Sequence, residues 1–440
     1  MDRDDLKRRL IDGVDHGGDR AVSLAEAIGR EAELGYKEHR TALKVQHAFD
    51  ALQIPYRSGL AVTGVKAVLR GGRPGPTVAI IGELDGLPIS EHPDCWAETG
   101  AVHACGHNAQ IGSIIAAAAG LLEVRDELAG TIVFFAVPAE ESVEVEWRLG
   151  EKDAGRIEFL GGKAELVRLG EFDDVDLAMM AHTSNQSSDG LLITGETSNG
   201  HVIKFVRFVG KSAHAAGAPH NGVNALRAAM LAMAAIDAQR ETFRDADTVR
   251  IHPILTRGGD VVNAIPADAR LESFVRGKTV EAIDDANRKF DRAMRAGAMA
   301  LGATVEITTL PGYLPLQQNP TMVDLFRQNG ARVVGEDRVG HKGHVAAGTD
   351  MGDLSQIMPA IHPSAAGGSG TGHGADYRVE NYEQAVLNPG KALALTALDL
   401  LLDDAVIARQ ILERDRPKLT RGEYLAFLRR MDQLERYHAD

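Results

Sequence analysis

Only two cysteines occur in 440 residues, Cys95 and Cys105, too few for a disulfide framework. Their scarcity suits a reducing compartment, in which the Cys105 thiol stays available. No apolar run approaches the roughly 18 residues that a membrane-spanning helix needs. The opening MDRDDLKRRL is charged and has no apolar core of signal-peptide length. Cationic charge is also short: 48 Lys and Arg face 62 Asp and Glu, a formal net charge of −14. That disfavours nucleic acid or an anionic membrane as the main partner, while leaving room for a small anionic substrate in a local basic pocket. Internal repeats and low-complexity segments are missing too. A cytoplasmic protein acting on a small molecule is expected. What remains is an ordinary globular composition, 44% hydrophobic and 25% charged.

The stretch that carries chemistry is His103-Ala-Cys105-Gly-His107-Asn108, directly before an Ala-rich helical run. A thiolate and a neutral imidazole two residues apart are strong ligands for a borderline-soft divalent cation. Alone, the pair also reads as a buried thiol and a capping histidine. Its weight comes from Glu140-Glu141, His182 and His373 downstream. Of two adjacent carboxylates, one can ligate a metal while the other accepts a proton from water.

Hydropathy puts these groups at strand ends. Residues 77–82 and 131–137 are continuous apolar runs, as strands buried on both faces should be. They lead into Glu83-Leu-Asp85 and into Pro138-Ala-Glu140-Glu141. A third run, 175–181, ends at His182. Helices are expected over 5–52, broken at Gly35-Tyr36, and over 109–126 and 161–169. Residues 71–76 read as a turn, and 142–158 as a polar loop or short excursion. The alternation predicts an α/β fold, a mostly parallel sheet covered by helices, with its chemistry at the carboxyl ends of the strands. From Ser198 the texture changes. Strands at 201–209, 248–255, 269–275 and 303–309, with helices at 222–238 and 279–301, suggest an α+β insert. The expected plan is a catalytic domain over 1–197, an inserted domain over 198–312 and the rest of the catalytic domain over 313–440. The tail, 405–440, reads as charged and helical.

Taken in order, HACGHN, VPAEE, AHTS, GKSAHAAGAPHNGVNAL, GGDVVNAIPADARL and GTDMGDLSQIMPAIHP resemble the aminoacylase/carboxypeptidase family of metal-dependent amidohydrolases. The subgroup most resembled is that of aminobenzoyl-glutamate and N-acyl-amino-acid hydrolases, whose metal site uses a cysteine. The resemblance implies a zinc-peptidase-like catalytic domain with an inserted ferredoxin-like lid/dimerisation domain. It implies one or two divalent ions per subunit, Mn2+ or Zn2+, held by Cys105, His107, Glu141, His182 and His373. Glu140 falls on the general base, and Asp85 on the acidic position that orients a ligand. Glu83 stands where other relatives place a histidine ligand. His214 falls on the lid histidine that stabilises the oxyanion of a partner's site, which implies a homodimer. Asn263 and Arg276 fall on lid positions that hold a substrate carboxylate or polar head.

Two features depart from that pattern. Residues 142–160 intervene between the Glu pair and Gly161-Gly162-Lys163, and Asn108-Ala109-Gln110 replaces Asp-Ala-His. Hydrolysis of an N-acyl or aminobenzoyl amino acid, or of a dipeptide, leads. A second reading keeps the site but releases ammonia from an aromatic amine, as a nitroanthranilate-type aminohydrolase does. A third is an inactive binding protein on the same scaffold, against which the full set of site residues argues.

Overall fold

The computed structural model describes residues 2–185 and 187–439. The chain forms two compact units. The first takes the chain up to Thr197 with Gln317–His344 and Asp353–Leu419. The second takes Ser198–Leu316, Val345–Gly352 and the chain from Thr420.

The first unit is built on six strands. β1 (Tyr56–Leu60), β2 (Gly64–Arg70), β3 (Arg73–Glu83), β4 (Ala129–Val137) and β5 (Leu177–Met180) lie in the order β1-β2-β4-β3-β5, with Ala360–Ile361 beyond β5. β3 is central and runs parallel to both neighbours, as its continuous apolar sequence requires. β1 and β2 close one edge antiparallel. Helices α1 (Arg3–Arg30), α2 (His39–Ala51) and α3 (His107–Leu122) bury their apolar stripes in this core, and α3 is buried over nearly all its length. That explains its Ala-rich sequence: small side chains let it lie close to α1 and β3.

The second unit is a sheet of antiparallel strands with helices Ala225–Ala238, Val280–Leu301 and Arg421–Met431. Gly200–Val209 pairs with both Asp268–Gly277 and Thr304–Pro311. The strand expected over 248–255 is interrupted: Arg250–Ile251 and Ile254–Arg257 pair separately with Asp268–Gly277. Pro253 lies in the gap and has no N–H to give the ladder.

Three sequence expectations need correction. Residues 142–158 contain a helix, Val145–Asp153. The turn at 71–76 is already part of β3 from Arg73, with an irregular register up to Thr77. The tail is not helical throughout. Gln433–His438 is a strand paired antiparallel with the 304–311 strand, so the chain from Thr420 belongs with the second unit rather than the first.

Candidate metal centre

Parallel register gathers the acidic groups. Glu83, the last residue of β3, lies opposite Val137, the last of β4, while Ile81 lies opposite Met180 at the end of β5. Asp85, Glu140-Glu141 and His182 therefore leave the same, carboxyl end of the parallel strands. Cys105 and His107 arrive from the loop that starts α3. The turn between them is made by Gly106 at φ 83°, a conformation that residues with a Cβ avoid. His373 comes from a later loop, also at positive φ, with its N–H donating to the Ala104 carbonyl at 2.9 Å.

The five expected metal-ligating residues fall into two triads that share the thiol. Cys105, His107 and His182 have ligand atoms within 4.8 Å of one another, and so do Cys105, Glu141 and His373. Glu140 joins a third such group with His107 and Glu141. Cys105 Sγ is 3.2 Å from His182 Nε2, and His373 Nε2 is 3.3 Å from Glu141 Oε1. Backbone carbonyls fix both imidazoles, His107 buried and His182 half-buried. His107 Nδ1 is 2.8 Å from the Asp85 carbonyl, and His182 Nδ1 is 2.8 Å from that of Thr183. With Nδ1 as donor, each Nε2 keeps a lone pair for a cation. His107 Nε2 and Glu141 Oε1 are buried without a hydrogen bond. Although His107 Nε2 is 3.1 Å from Glu83 Oε2, it is not aligned for one. Asp85 orients its neighbours: its Oδ2 accepts from the Glu141 N–H at 2.9 Å, and Oδ1 is 3.2 Å from His107 Nδ1.

The electrostatics describe a cluster short of positive charge. Burial, then the Glu141 carboxylate, pushes the Cys105 thiol up. Burial also raises Glu141, against the pull of His373. For His107, burial acts downward, but Glu83 and Cys105 outweigh it and hold the imidazole well above its usual value. His182 is depressed to about 4, by burial and then by the charge of His107. A divalent cation reverses this ordering, since it favours thiolate, carboxylate and neutral imidazole together.

Several buried groups around the cluster escape sequence reasoning. Lys163 Nζ donates to Glu83 Oε1 at 2.5 Å, with both side chains almost fully buried. Gln110 binds the same residue twice: its Nε2 donates to Glu83 Oε2 at 2.9 Å and its Oε1 accepts from Glu83 N at 3.1 Å. In sequence nothing beside Gly161-Gly162-Lys163 marks the lysine as buried. His362, buried and 5.8 Å from the His182 ring centroid, is depressed to about 3 by burial and then by His182. Glu38, fully buried, is pushed up to about 7 by burial and then by Asp85.

His214, Asn263 and Arg276 belong to the second unit. His214 is exposed, and its Nδ1 accepts from the N–H groups of Ala216 and Gly217 at 3.2 and 3.0 Å. Its loop bonds to that of Asn263 through Ala215 N to Asn263 O at 2.9 Å. Arg276 is half-buried, with its guanidinium 5.2 Å from the Phe274 ring centroid.

Comparison with known proteins identifies the family and the fold. The model of peptidase family M20/M25/M40 matches residues 79–399. The Xaa-Arg dipeptidase of Mus musculus is 30% identical over 430 residues, 91% of this chain and 90% of its own. The indole-3-acetyl-aspartic acid hydrolase of Enterobacter agglomerans is also 30% identical, over 86% of this chain and 83% of its own. A crystal structure of a dinuclear metal-binding peptidase from Bacillus subtilis superposes with a TM-score of 0.68 at 22% identity, covering 88% of this chain and 99% of that one.

Proposed function

Because the chain belongs to peptidase family M20/M25/M40 and is a hydrolase acting on C–N bonds of small substrates, we propose that it cleaves the amide of an N-acyl or aminobenzoyl amino acid, or of a dipeptide, with Glu140 as general base. The observation that carries the reading is the pair of triads meeting at Cys105. Cys105, His107, Glu141, His182 and His373 would hold one or two divalent cations. The fit rests on His107 Nε2 and Glu141 Oε1, both buried without a hydrogen bond, and on the paired Nδ1 donors that free both Nε2 atoms. Charge favours two ions: the buried carboxylates Glu38, Glu83, Asp85, Glu140 and Glu141 and the Cys105 thiol gather where Lys163 and Arg148 are the buried bases of the 142–163 segment. The thiolate and imidazoles suit Zn2+, and the carboxylates suit Mn2+.

When bound, such a cation supplies Lewis acidity that makes water acidic near neutral pH. Glu140 then takes the proton of the attacking water and hands it to the leaving nitrogen, one carboxylate serving as base and then as acid. Asp85 keeps His107 and the Glu141 backbone in place for this. For His214 the proposed role is stabilising the oxyanion, and for Asn263 and Arg276 holding the substrate carboxylate or polar head. The two relatives of 30% identity are named for a dipeptide and for an acyl aspartate, which supports an amino acid on one side of the bond.

We also propose a homodimer formed through the second unit, which exposes Met230, Leu231, Ile254, Leu255, Val261 and Val262. A reducing, cytoplasmic location fits two free cysteines, one of them in the centre. The test is a product screen of metal-loaded enzyme over acyl-amino acids, dipeptides and aminobenzoates, assaying free amino acid and ammonia in parallel. Amino acid release is expected; ammonia and a phenol alone would favour aromatic deamination instead. Glu140→Gln should lower kcat by about 100-fold or more. Full turnover in that variant removes Glu140 from the chemistry.

A further inference from the structure

The loop that carries Glu140 and Glu141 turns at Ala139, which has φ 53°. A residue with a Cβ disfavours this left-handed conformation, and alanine has no side chain to stabilise it locally. Both backbone polar groups of Ala139 are instead held from distant parts of the chain. Its carbonyl accepts from Gly162 N at 3.0 Å. Its N–H donates to Glu38 Oε1 at 2.8 Å, across 101 positions of sequence. The other carboxylate oxygen of Glu38 accepts from Thr63 Oγ1 at 2.6 Å. Glu38 is 0% exposed and Thr63 2%. A third contact closes the turn from Gly35. A Cβ at that position would overlap Arg148 Nη2 and come within 2.9 Å of Ala139 Cα. Arg148, from the helix in the 142–160 segment, is 1% exposed and donates to the Leu160 carbonyl at 2.9 Å.

A buried carboxylate is costly unless its hydrogen bonds are filled. Here both oxygens are filled, and one of them is spent on a strained residue directly before the paired acids. We propose that Glu38 is a positioning residue for the Glu140–Glu141 pair: its carboxylate pins Ala139 in the left-handed turn from which both acids leave. The proposal rests on the reading of Glu140 as general base. Glu38 acts through Ala139 and touches neither substrate nor cation, and its reach matters more than its charge.

Three substitutions separate reach from charge. Glu38→Gln keeps the length and an oxygen acceptor for Ala139 N, and its amide N–H₂ can donate to Thr63. Glu38→Asp keeps the charge but loses a methylene of reach. Glu38→Leu loses the acceptor. Metal-loaded Glu38→Asp and Glu38→Leu should lose about 10–100-fold in kcat, the scale of a small misplacement of catalytic groups, with KM within about threefold of the parent. Glu38→Gln should stay close to the parent. Ala139→Gly on the Glu38→Leu background should recover about fivefold, because glycine adopts the turn unaided. In the Co2+-loaded protein, the visible ligand-field bands should shift for Glu38→Asp and return in Glu38→Gln, since Glu141 moves with Ala139. The opposite ranking, with Glu38→Asp active and Glu38→Gln impaired, overturns the proposal in favour of a charge effect. Unchanged kcat and spectra in soluble Glu38→Asp overturn it outright, and that isocharged variant serves if Glu38→Leu fails to fold. Glu140→Gln in parallel keeps the two readings apart. An inactive Glu140→Gln beside unaffected Glu38 variants sinks only this inference, and an active Glu140→Gln sinks the parent reading.

Discussion

Gly106 shows how much of the centre depends on one residue without a side chain. It sits between two residues proposed to bind the same cation and lets the chain turn into α3. Its φ of 83° is one problem for a Cβ, and its surroundings are another: a Cβ there would lie 2.6 Å from Tyr377 Oη and 2.7 Å from Thr183 Cβ. Thr183 is fixed beside His182, and its hydroxyl donates to the Gly106 carbonyl at 3.3 Å. Gly106→Ala should therefore cost about 2 kcal/mol or more in stability, combining the left-handed penalty with a clash that the packed loop cannot relieve. It should also lower the bound metal per chain, because Cys105 and His107 would no longer face the same point. Denaturant midpoints and elemental analysis of the purified variant check both effects, and a fully metal-loaded variant of parental stability removes the argument. Cys105, His107, His182 and the Glu pair were legible in sequence because their residue types are rare together and sit where apolar runs stop. Lys163, Glu38 and Arg148 were not. A charged residue reads as solvent-facing until the chain closes around it, and nothing local in Gly161-Gly162-Lys163 announces a partner 80 positions away.

Elements were legible where burial is uniform or strictly periodic. β3, β4 and β5 read as strands because a parallel strand covered on both faces has no polar side to show. The Val145–Asp153 helix is not legible for the converse reason: its buried residue is Arg148, so hydropathy marks the wrong face. In the second unit, strand pairing creates an electrostatic problem that a neighbouring residue solves. Arg207 and Arg270 lie directly opposite each other on paired strands, where like charges repel. Asp268 lies between them, accepting from Arg207 Nε at 2.9 Å and from Arg270 Nη2 at 3.2 Å. Burial alone would raise its carboxyl, but the hydrogen bonds and charges of the two arginines outweigh it and hold the group below the usual range. A depressed carboxyl contributes stability above its unfolded pKa, and that contribution is lost as pH falls through the folded value. Asp268→Asn should thus cost about 0.5–1 kcal/mol at pH 7, and the difference from the parent should be smaller at about pH 3, on the way to its loss below the folded value. Parallel urea titrations at the two pH values decide it. A penalty that persists undiminished in acid would mean that Asp268 acts through packing.

At the scale of the molecule, the second unit poses a question about its sheet edges. An edge strand presents unpaired N–H and C=O groups and must be covered, blunted or used. One edge, the 304–311 strand, is covered by the chain's own end: Gln433–His438 pairs with it from Thr304 to Thr309. That strand was hidden in sequence because it lies on an outer edge with most of its residues exposed, so it lacks an apolar signal. Gln433–His438 is then the outer strand on that side, and it carries Glu435 and Arg436; the opposite edge is more apolar. Ile254–Arg257 pairs on one side with Asp268–Gly277, and among the described residues no strand lies on its other side. Neither of its apolar residues is hidden: Ile254 is 60% exposed and Leu255 37%. Helix Ala225–Ala238 adds Met230 and Leu231, each 43% exposed, and the loop at Val261-Val262 adds two more valines. An open edge beside scattered exposed aliphatics, in a chain whose net charge of −14 otherwise favours separation, is what a self-complementary two-fold contact uses. The proposed dimer therefore makes a local prediction. The parent should run as two copies by light scattering at micromolar concentration. The double variant Ile254→Asp, Leu255→Asp should run as one copy with unchanged far-ultraviolet circular dichroism, because two exposed acids per chain would face their symmetry mates while touching no core of the monomer. A parent that is already monomeric, or a variant that still pairs, would detach this edge from assembly and leave its exposed aliphatics to some other use.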